Sequence, residues 1–223
     1  MLSDAAQNSL FEKYCKPDLR KSLQENFTFE DLDFKLNSKI DFSSVIYIDI
    51  FNFSNRIIDF TLTEVRNYLN NYYTEVMPII KKHDGKIEKI MGDGIIVVFS
   101  KIFPDINTDR DATIKSFLCC KKLIECLYGT DFEAKAAIGI GNLFFCKTGV
   151  EQIYQENTAI GHPMTVVYRL ESIADKNQIL LMRDTQLSGS IVNAQNHLHG
   201  WTQIEKTVSL KGIGSTKVHV LQY

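Results

Sequence analysis

The sequence lacks a marked excess of either charge and lacks a long apolar run. Its 25 Lys and Arg against 27 Asp and Glu give a net charge of −2, which does not support a nucleic-acid-binding surface or a polybasic membrane patch. The longest apolar stretch, residues 136–146, is interrupted by Gly and Asn and is too short to span a bilayer. We therefore expect a protein that binds neither nucleic acid nor membrane.

Cysteines are few and show no pairing pattern. The five cysteines are an odd number without paired spacing, and the N-terminal residues show no signal-peptide pattern. Because disulfides belong to oxidising compartments, we expect these thiols to be reduced and the protein to be cytoplasmic. An apolar share of 44% over 223 residues is typical of a globular protein with one full domain.

The chain divides into two regions of different composition. Residues 1–40 are polar and helix-prone, with too few apolar residues for a core of their own, and are predicted to form an N-terminal helical extension. Residues 41–223 alternate strand and helix patterns and are predicted to form the main domain. No repeat, low-complexity run or long linker interrupts them.

The elements of the main domain follow from hydrophobic periodicity and turn residues. Strands are predicted at 44–50, 86–91, 95–99, 134–141, 143–147, 179–182 and 218–222. Helices are predicted at 63–83, 109–127 (capped by Asp109), 161–174 and 184–190. Segments 134–141 and 143–147 are expected to form a hairpin. This β-α-β-β-α-β order with an added αβ unit predicts an α+β, ferredoxin-like sheet with helices on one face.

Two aspartates stand where chemistry is expected. Asp49 ends an apolar strand, and Asp93 lies in a Gly-Asp-Gly turn between two β-rich runs. Strand alternation puts Tyr47 and Asp49 on one face. Two carboxylates brought together repel unless a divalent cation lies between them, and Mg²⁺ and Mn²⁺ take such oxygen ligands together with nucleotide phosphates. The alternative is that Asp49 only caps a helix. The turn and helix start that follow it suit a triphosphate.

Four ordered motifs resemble those of the class III nucleotidyl cyclases and cover about residues 41–223. They are 49–54 (Asp-Ile-Phe-Asn-Phe-Ser), 86–94 (with Lys four residues before the Asp of Gly-Asp-Gly), 158–170 and 210–220. The resemblance implies a cyclase catalytic domain that acts on a nucleoside triphosphate as a head-to-tail homodimer. A Gly-Gly-Asp/Glu-Glu-Phe run is absent, which argues against the related diguanylate cyclases.

The resemblance also implies roles for individual residues. Asp49 and Asp93 would hold two divalent ions, Mn²⁺ or Mg²⁺, with the Ile50 carbonyl as an extra ligand. One ion would polarise the ribose 3′-hydroxyl and the other would bind the triphosphate. Arg169 would stabilise charge on the transferred phosphorus, a role that suits its fixed fork of donors.

The implied substrate contacts include four departures from the family pattern. One is Thr158, which replaces the more usual aspartate of adenine readers, although a threonine there also occurs among ATP cyclases. The substrate-binding set is Tyr47, Asn52, Phe53, Ser54, Lys89 and Thr158, of which Lys89 and Thr158 are the base-reading pair. Thr165 replaces the asparagine that orients the ribose, and Asn52 replaces a small glycine. Tyr47 stands two residues before the metal aspartate, where the family usually has an apolar residue.

These departures resemble the bacterial pyrimidine cyclases of the Pycsar anti-phage system. Those enzymes make cyclic UMP or cyclic CMP, which activates a separate effector, and a pocket tyrosine helps them to select a pyrimidine. The resemblance favours UTP as substrate, with Tyr47 as the selecting residue. The alternatives are an ATP cyclase, favoured by Lys89 with Thr158, a CTP cyclase, and an inactive cyclase fold that serves as a nucleotide-binding module.

Overall fold

A computed structural model describes residues 38–183 and 198–223. The predicted helix at 184–190 lies outside the described residues, and so does nearly all of the predicted N-terminal extension. No helix in the described ranges combines the length and apolar character needed to cross a membrane.

The described residues form one mixed sheet and four helices. The strands are β1 Lys39–Ile50, β2 Lys86–Met91, β3 Gly94–Ser100, β4 Ala134–Val150, β5 Tyr154–Ile160, β6 Gln178–Met182, β7 Thr202–Leu210 and β8 Gly214–Gln222. The helices are α1 Phe53–Arg56, α2 Leu62–Lys82, α3 Asp109–Leu127 and α4 His162–Glu171. The strand order is β2-β3-β1-β4-β6-β8-β7, with β5 paired to β4. The α+β fold predicted from the sequence is confirmed.

β1 is an interior strand of this sheet, next to the central strand β4. It pairs antiparallel with β3 and with β4, so that Ile46 lies opposite Val97 on one side and Ile138 on the other. All seven residues of β3 are buried. Continuous runs of β-branched apolar residues are typical of strands covered on both faces, and this sheet has helices on both faces.

α2 and α3 cover the face to which Ile46 points. Ser116 of α3 shares a 2.6 Å hydrogen bond with Ser44 of β1, which belongs to the same face as Ile46. At the end of α2, a Cβ added to Gly85 would lie 2.6 Å from Val97, so only glycine allows this close approach. These two helices belong to the predicted β-α-β-β-α-β unit and lie on one face, as expected.

α4 covers the opposite face, which carries Tyr47 and Asp49. A Cβ added to Gly139 of β4 would lie 2.4 Å from the carbonyl oxygen of Pro163 in the first turn of α4, so glycine is required there too. The rings of Tyr47 and Tyr168 meet edge to face with centroids 5.2 Å apart. α4 thus packs above the end of β1 that carries Asp49.

Three sequence predictions are wrong in detail. The helices do not all lie on one face of the sheet, because α4 covers the face opposite to α2 and α3. Residues 134–147 form no hairpin, because β4 runs unbroken from Ala134 to Val150 and keeps pairing with β1, including Gly141 opposite Ser43. The cap of α3 is Thr108, not Asp109. The Thr108 hydroxyl accepts the backbone N–H of Asp111 at 3.0 Å, which is the usual contact of an N-cap threonine.

Candidate active site

Asp49 and Asp93 meet at one edge of the central strands. Asp49 is the penultimate residue of β1, and Asp93 lies in the two-residue turn between β2 and β3. Their carboxyl oxygens are within hydrogen-bond reach of each other, and the Asp93 carboxylate also accepts the backbone N–H of Ile50. The turn is fixed by Gly92, which has a left-handed φ of 64° and whose carbonyl accepts the Tyr73 hydroxyl at 2.5 Å.

The two carboxyl groups are electrostatically strained as a pair. Burial, together with the hydrogen bond and charge of Asp93, raises the pKa of Asp49 to about 7, although Lys135 acts in the opposite direction. Burial also raises the pKa of Asp93. Like charges in a partly desolvated site favour a shared proton or a bound cation.

The carboxyl oxygens of Asp49 and Asp93 fit a divalent cation whose remaining coordination positions are filled by the substrate. Within the described ranges, no group of three or more His, Cys, Asp or Glu side chains converges to hold a metal alone. Mg²⁺ commonly uses one or two carboxylates and takes its other ligands from phosphates and water. The half-buried oxygens of Asp49 and Asp93 supply this number of ligands.

Tyr47 borders the carboxylates directly. Its hydroxyl donates to Asp49 Oδ2 at 3.2 Å, which confirms that the two side chains share a face. The phenol also fills the space beside Gly94, where an added Cβ would lie 2.7 Å from the hydroxyl oxygen. Burial, then the charge of Asp49, raises the pKa of Tyr47, so the phenol is neutral and serves as a donor. Tyr168 covers its ring from α4.

Lys135 and Glu171 were not identified from the sequence. Lys135 is the cross-strand partner of Asp49 in the β1–β4 ladder, and its Nζ forms a 2.9 Å ion pair with Glu171 Oε1. Glu171 is the last residue of α4, and both side chains are mostly buried. The one feature of the sequence that could have pointed to Lys135 is that it is the single charged residue in the otherwise apolar segment 134–140.

The predicted phosphate-side residues follow β1. Asn52 adopts a left-handed conformation with φ 60° and precedes the short helix α1, which contains Phe53 and the exposed Ser54. The Phe53 ring packs near Tyr68 with centroids 6.0 Å apart, so this side chain anchors the segment to α2. The Asn52 side chain does not cap α1 and instead accepts the Asn55 amide at 2.6 Å.

Arg169 and Thr165 lie one turn apart on α4, so they share a helix face. Thr165 is exposed and Arg169 is half-buried. The Arg169 Nε atom is buried and has no hydrogen-bond partner within the described part of the chain. A buried guanidinium donor without a protein acceptor is a candidate to bind an anion.

Lys89 and Thr158 are brought together, and each contacts a glutamate that the sequence analysis did not single out. The Thr158 hydroxyl donates to Glu88 Oε1 at 2.7 Å, and Lys89 Nζ lies 3.5 Å from Glu156 Oε1. The β2–β3 register shifts between Ile87 and Lys89, which places Glu88 at a bulge. Burial raises the pKa of Glu88. These four polar side chains on β2 and β5 include the two residues predicted to read the base, and are named the base-edge group for that prediction.

Comparison with known proteins gives distant sequence relatives. No family model matches the chain. Uncharacterised proteins of Mycobacterium tuberculosis and Mycobacterium bovis are 25% identical to it over 182 residues, which is 80% of this chain. The chain spans about 30% of the length of these curated relatives.

Solved structures give a closer match in architecture. The guanylyl cyclase Cya2 superposes with a TM-score of 0.68 at 20% identity, covering 83% of this chain and 93% of that one. The adenylyl cyclase CyaB from P. aeruginosa gives 0.65 at 20% identity, covering 84% and 97%. The guanylate cyclase domain of RhGC from Catenaria anguillulae, in complex with GTP, gives 0.67 at 15% identity, covering 83% and 98%. The chain therefore has the fold of the guanylyl and adenylyl cyclase catalytic domains.

Proposed function

We propose that the chain is a nucleotidyl cyclase that converts UTP to 3′,5′-cyclic UMP and pyrophosphate. The observation that carries this proposal is the pairing of Asp49 and Asp93 at the strand end and turn of a cyclase fold. An inactive binding module has no chemical reason to keep two carboxylates in mutual repulsion. Their retention together with Arg169 therefore supports an enzyme over a binding module.

The carboxylate pair is the proposed metal site. Asp49 and Asp93, with the carbonyl of Ile50, would hold two divalent cations, Mn²⁺ or Mg²⁺. When bound, such cations polarise a ribose 3′-hydroxyl and neutralise triphosphate charge. The protein orients the donors: the Tyr47 hydroxyl holds Asp49, and the Ile50 N–H holds Asp93. The exposed Ser54 and the backbone after Asn52 are proposed to bind the triphosphate.

The remaining groups are proposed to come from a second copy of the chain in a head-to-tail homodimer. Arg169 would stabilise charge on the transferred phosphorus, since its buried Nε has no partner in the described residues. Thr165, on the same helix face, would orient the ribose with one donor and two acceptor lone pairs. Preorganised donors of this kind supply much of the stabilisation in phosphoryl transfer.

The base-edge group and Tyr47 are proposed to select the base. Uracil presents an acceptor at O4 and a donor at N3–H. Lys89 can donate to O4, and Glu88 can accept from N3–H because its carboxylate has lone pairs beyond the one that Thr158 uses. Tyr47, packed edge to face against Tyr168, would restrict the pocket to a single ring. ATP remains the second candidate, because Lys89 and Thr158 could also pair with an adenine edge.

The proposed biological role is signalling in anti-phage defence. It rests on the resemblance to the Pycsar pyrimidine cyclases carried by Tyr47, Thr165 and Asn52. In that role the cyclic UMP product activates a separate effector protein, and the enzyme acts in the cytoplasm.

Product identification tests the activity. The purified chain is incubated with Mn²⁺ and each of the four ribonucleoside triphosphates, and products are identified by mass. We expect cyclic UMP from the wild type and none from Asp93→Ala, which should retain the fold by circular dichroism. If cyclic AMP or cyclic CMP is the only product, the substrate is ATP or CTP and not UTP. If no triphosphate yields a cyclic product, the proposal is contradicted.

A matched pair of phenol variants tests the role of Tyr47. Tyr47→Phe should change the ratio of products when UTP and ATP compete, because the hydroxyl beside Asp49 is lost. Tyr72→Phe is the control, since Tyr72 is also a buried phenol but has no hydrogen-bond partner within the described residues. If both variants keep the wild-type product ratio, Tyr47 does not select the base.

A further inference from the structure

The Lys135–Glu171 ion pair lies beside the carboxylate pair and has no role in the function proposed so far. Lys135 faces Asp49 across the β1–β4 ladder, where directly opposed side chains point to the same face. Glu171, the last residue of α4, contacts Lys135 there. The ion pair thus joins β4 to α4 beside the end of β1.

Both members of the pair act electrostatically on the carboxylates. The positive charge of Lys135 lowers the pKa of Asp49, whereas Glu171 contributes to raising the pKa of Asp93 and of Tyr47. The two charges lie 2.9 Å apart and largely cancel at a distance. A cation bound by Asp49 and Asp93 would therefore experience little net field from the intact pair.

We propose that Lys135 and Glu171 are positioning residues that set the divalent-cation affinity of the Asp49–Asp93 site. In this arrangement the positive charge of Lys135, opposite Asp49 in the β1–β4 ladder, repels a cation at the site, and the negative charge of Glu171, 2.9 Å away, cancels that repulsion. The inference rests on the proposed function, because it takes Asp49 and Asp93 as the cation ligands.

The proposal predicts effects of opposite sign. Glu171→Gln leaves Lys135 uncompensated beside the site, so cation binding should weaken. Lys135→Met leaves Glu171 uncompensated, so cation binding should tighten. The double variant should return to near the wild-type affinity. An ion pair that only supports the fold would weaken cation binding in both single variants, because each leaves a mostly buried charge without its partner.

Mn²⁺ binding to the nucleotide-free protein measures this directly. Free Mn²⁺ is followed by electron paramagnetic resonance at one fixed pH for the wild type and all variants. We expect the dissociation constant to rise about three- to tenfold in Glu171→Gln and to fall by a similar factor in Lys135→Met. Lys135→Arg preserves the charge and should bind Mn²⁺ as the wild type does. Thermal unfolding of each variant verifies that it is folded.

The outcomes separate this inference from the proposed function. Asp49→Asn should abolish the Mn²⁺ binding. If it does not, the metal assignment fails. If Asp49→Asn abolishes binding but Lys135→Met and Glu171→Gln shift affinity in the same direction, or leave it unchanged, only the role of the ion pair is overturned.

Discussion

Replacing Asp49 by asparagine should stabilise the metal-free protein, although Asp49 is a proposed metal ligand. Folding raises the pKa of Asp49 from its ordinary value of 3.8 to about 7, chiefly through burial and then through Asp93. A carboxyl whose pKa is raised in the folded state contributes stability that is complete below pH 3.8 and is lost as pH rises through 7. Above that pH the folded protein bears the full cost of the charged pair, and asparagine removes this cost.

The expected gain in the free energy of unfolding follows from the rise in the pKa of Asp49. A rise of about three pH units corresponds to about 4 kcal/mol at about 1.36 kcal/mol per unit. Asp49 is only partly buried, so solvent screening reduces this value, and we expect a gain of about 1–2 kcal/mol at pH 8. For a domain of this size each kcal/mol moves the melting temperature by about 2–4 °C, which gives an increase of about 2–8 °C.

Thermal unfolding in EDTA at pH 8 and pH 5 tests this prediction. The Asp49→Asn gain should be largest at pH 8 and smaller at pH 5, where the folded wild type already holds the proton. Added Mn²⁺ should raise the melting temperature of the wild type and not that of the variant. Asp59→Asn, at an exposed aspartate, is the control and should change little. Destabilisation by Asp49→Asn at pH 8, or an equal gain at both pH values, would refute the reasoning.

Three further predictions address the subunits, the base and the core. Asp93→Ala and Arg169→Ala should each be inactive, whereas an equal mixture of the two should recover about a quarter of wild-type activity. The reason is that half of the dimers are then mixed, and one of their two sites combines an intact Asp93 with the intact Arg169 of the other subunit. No recovery would argue against shared sites. Glu88→Leu should lower the rate with UTP relative to ATP by about tenfold if Glu88 accepts from the base, and an unchanged ratio would exclude that contact. Tyr72→Phe should leave the free energy of unfolding within about 1 kcal/mol of the wild type in urea titrations, because the lost hydroxyl has no partner among the described residues, and a larger loss would show that it has one.

The positions of Asp49 at a strand end and Asp93 in a turn could be predicted from local sequence because each sits in a short, self-contained pattern. Asp49 follows an uninterrupted apolar strand, and Asp93 is flanked by two glycines that permit a tight turn. The same local rules failed at Gly141. There glycine suggested a hairpin, but pairing with β1 along the whole of β4 outweighed the local preference of one residue.

The residues that surround the carboxylates required tertiary information. Lys135 meets Asp49 only because of the β1–β4 register, and Glu171 reaches Lys135 only because α4 packs closely over Gly139. Neither of these two contacts can be read from the hydrophobic periodicity of the sequence. Glu88 was missed for a related reason, because a β-bulge changes the face to which a side chain points and no residue of β2 marks it.

The stoichiometry of the reaction tests the central claim most directly. UTP, cyclic UMP and pyrophosphate are quantified over time in one reaction with Mn²⁺, with wild type and Asp93→Ala in parallel. Cyclisation predicts one cyclic UMP and one pyrophosphate for each UTP consumed by the wild type, and no turnover by the variant. Release of UDP and phosphate without a cyclic product, or equal cyclic UMP formation by Asp93→Ala, would contradict the assignment of Asp49 and Asp93 as the metal site of a nucleotidyl cyclase.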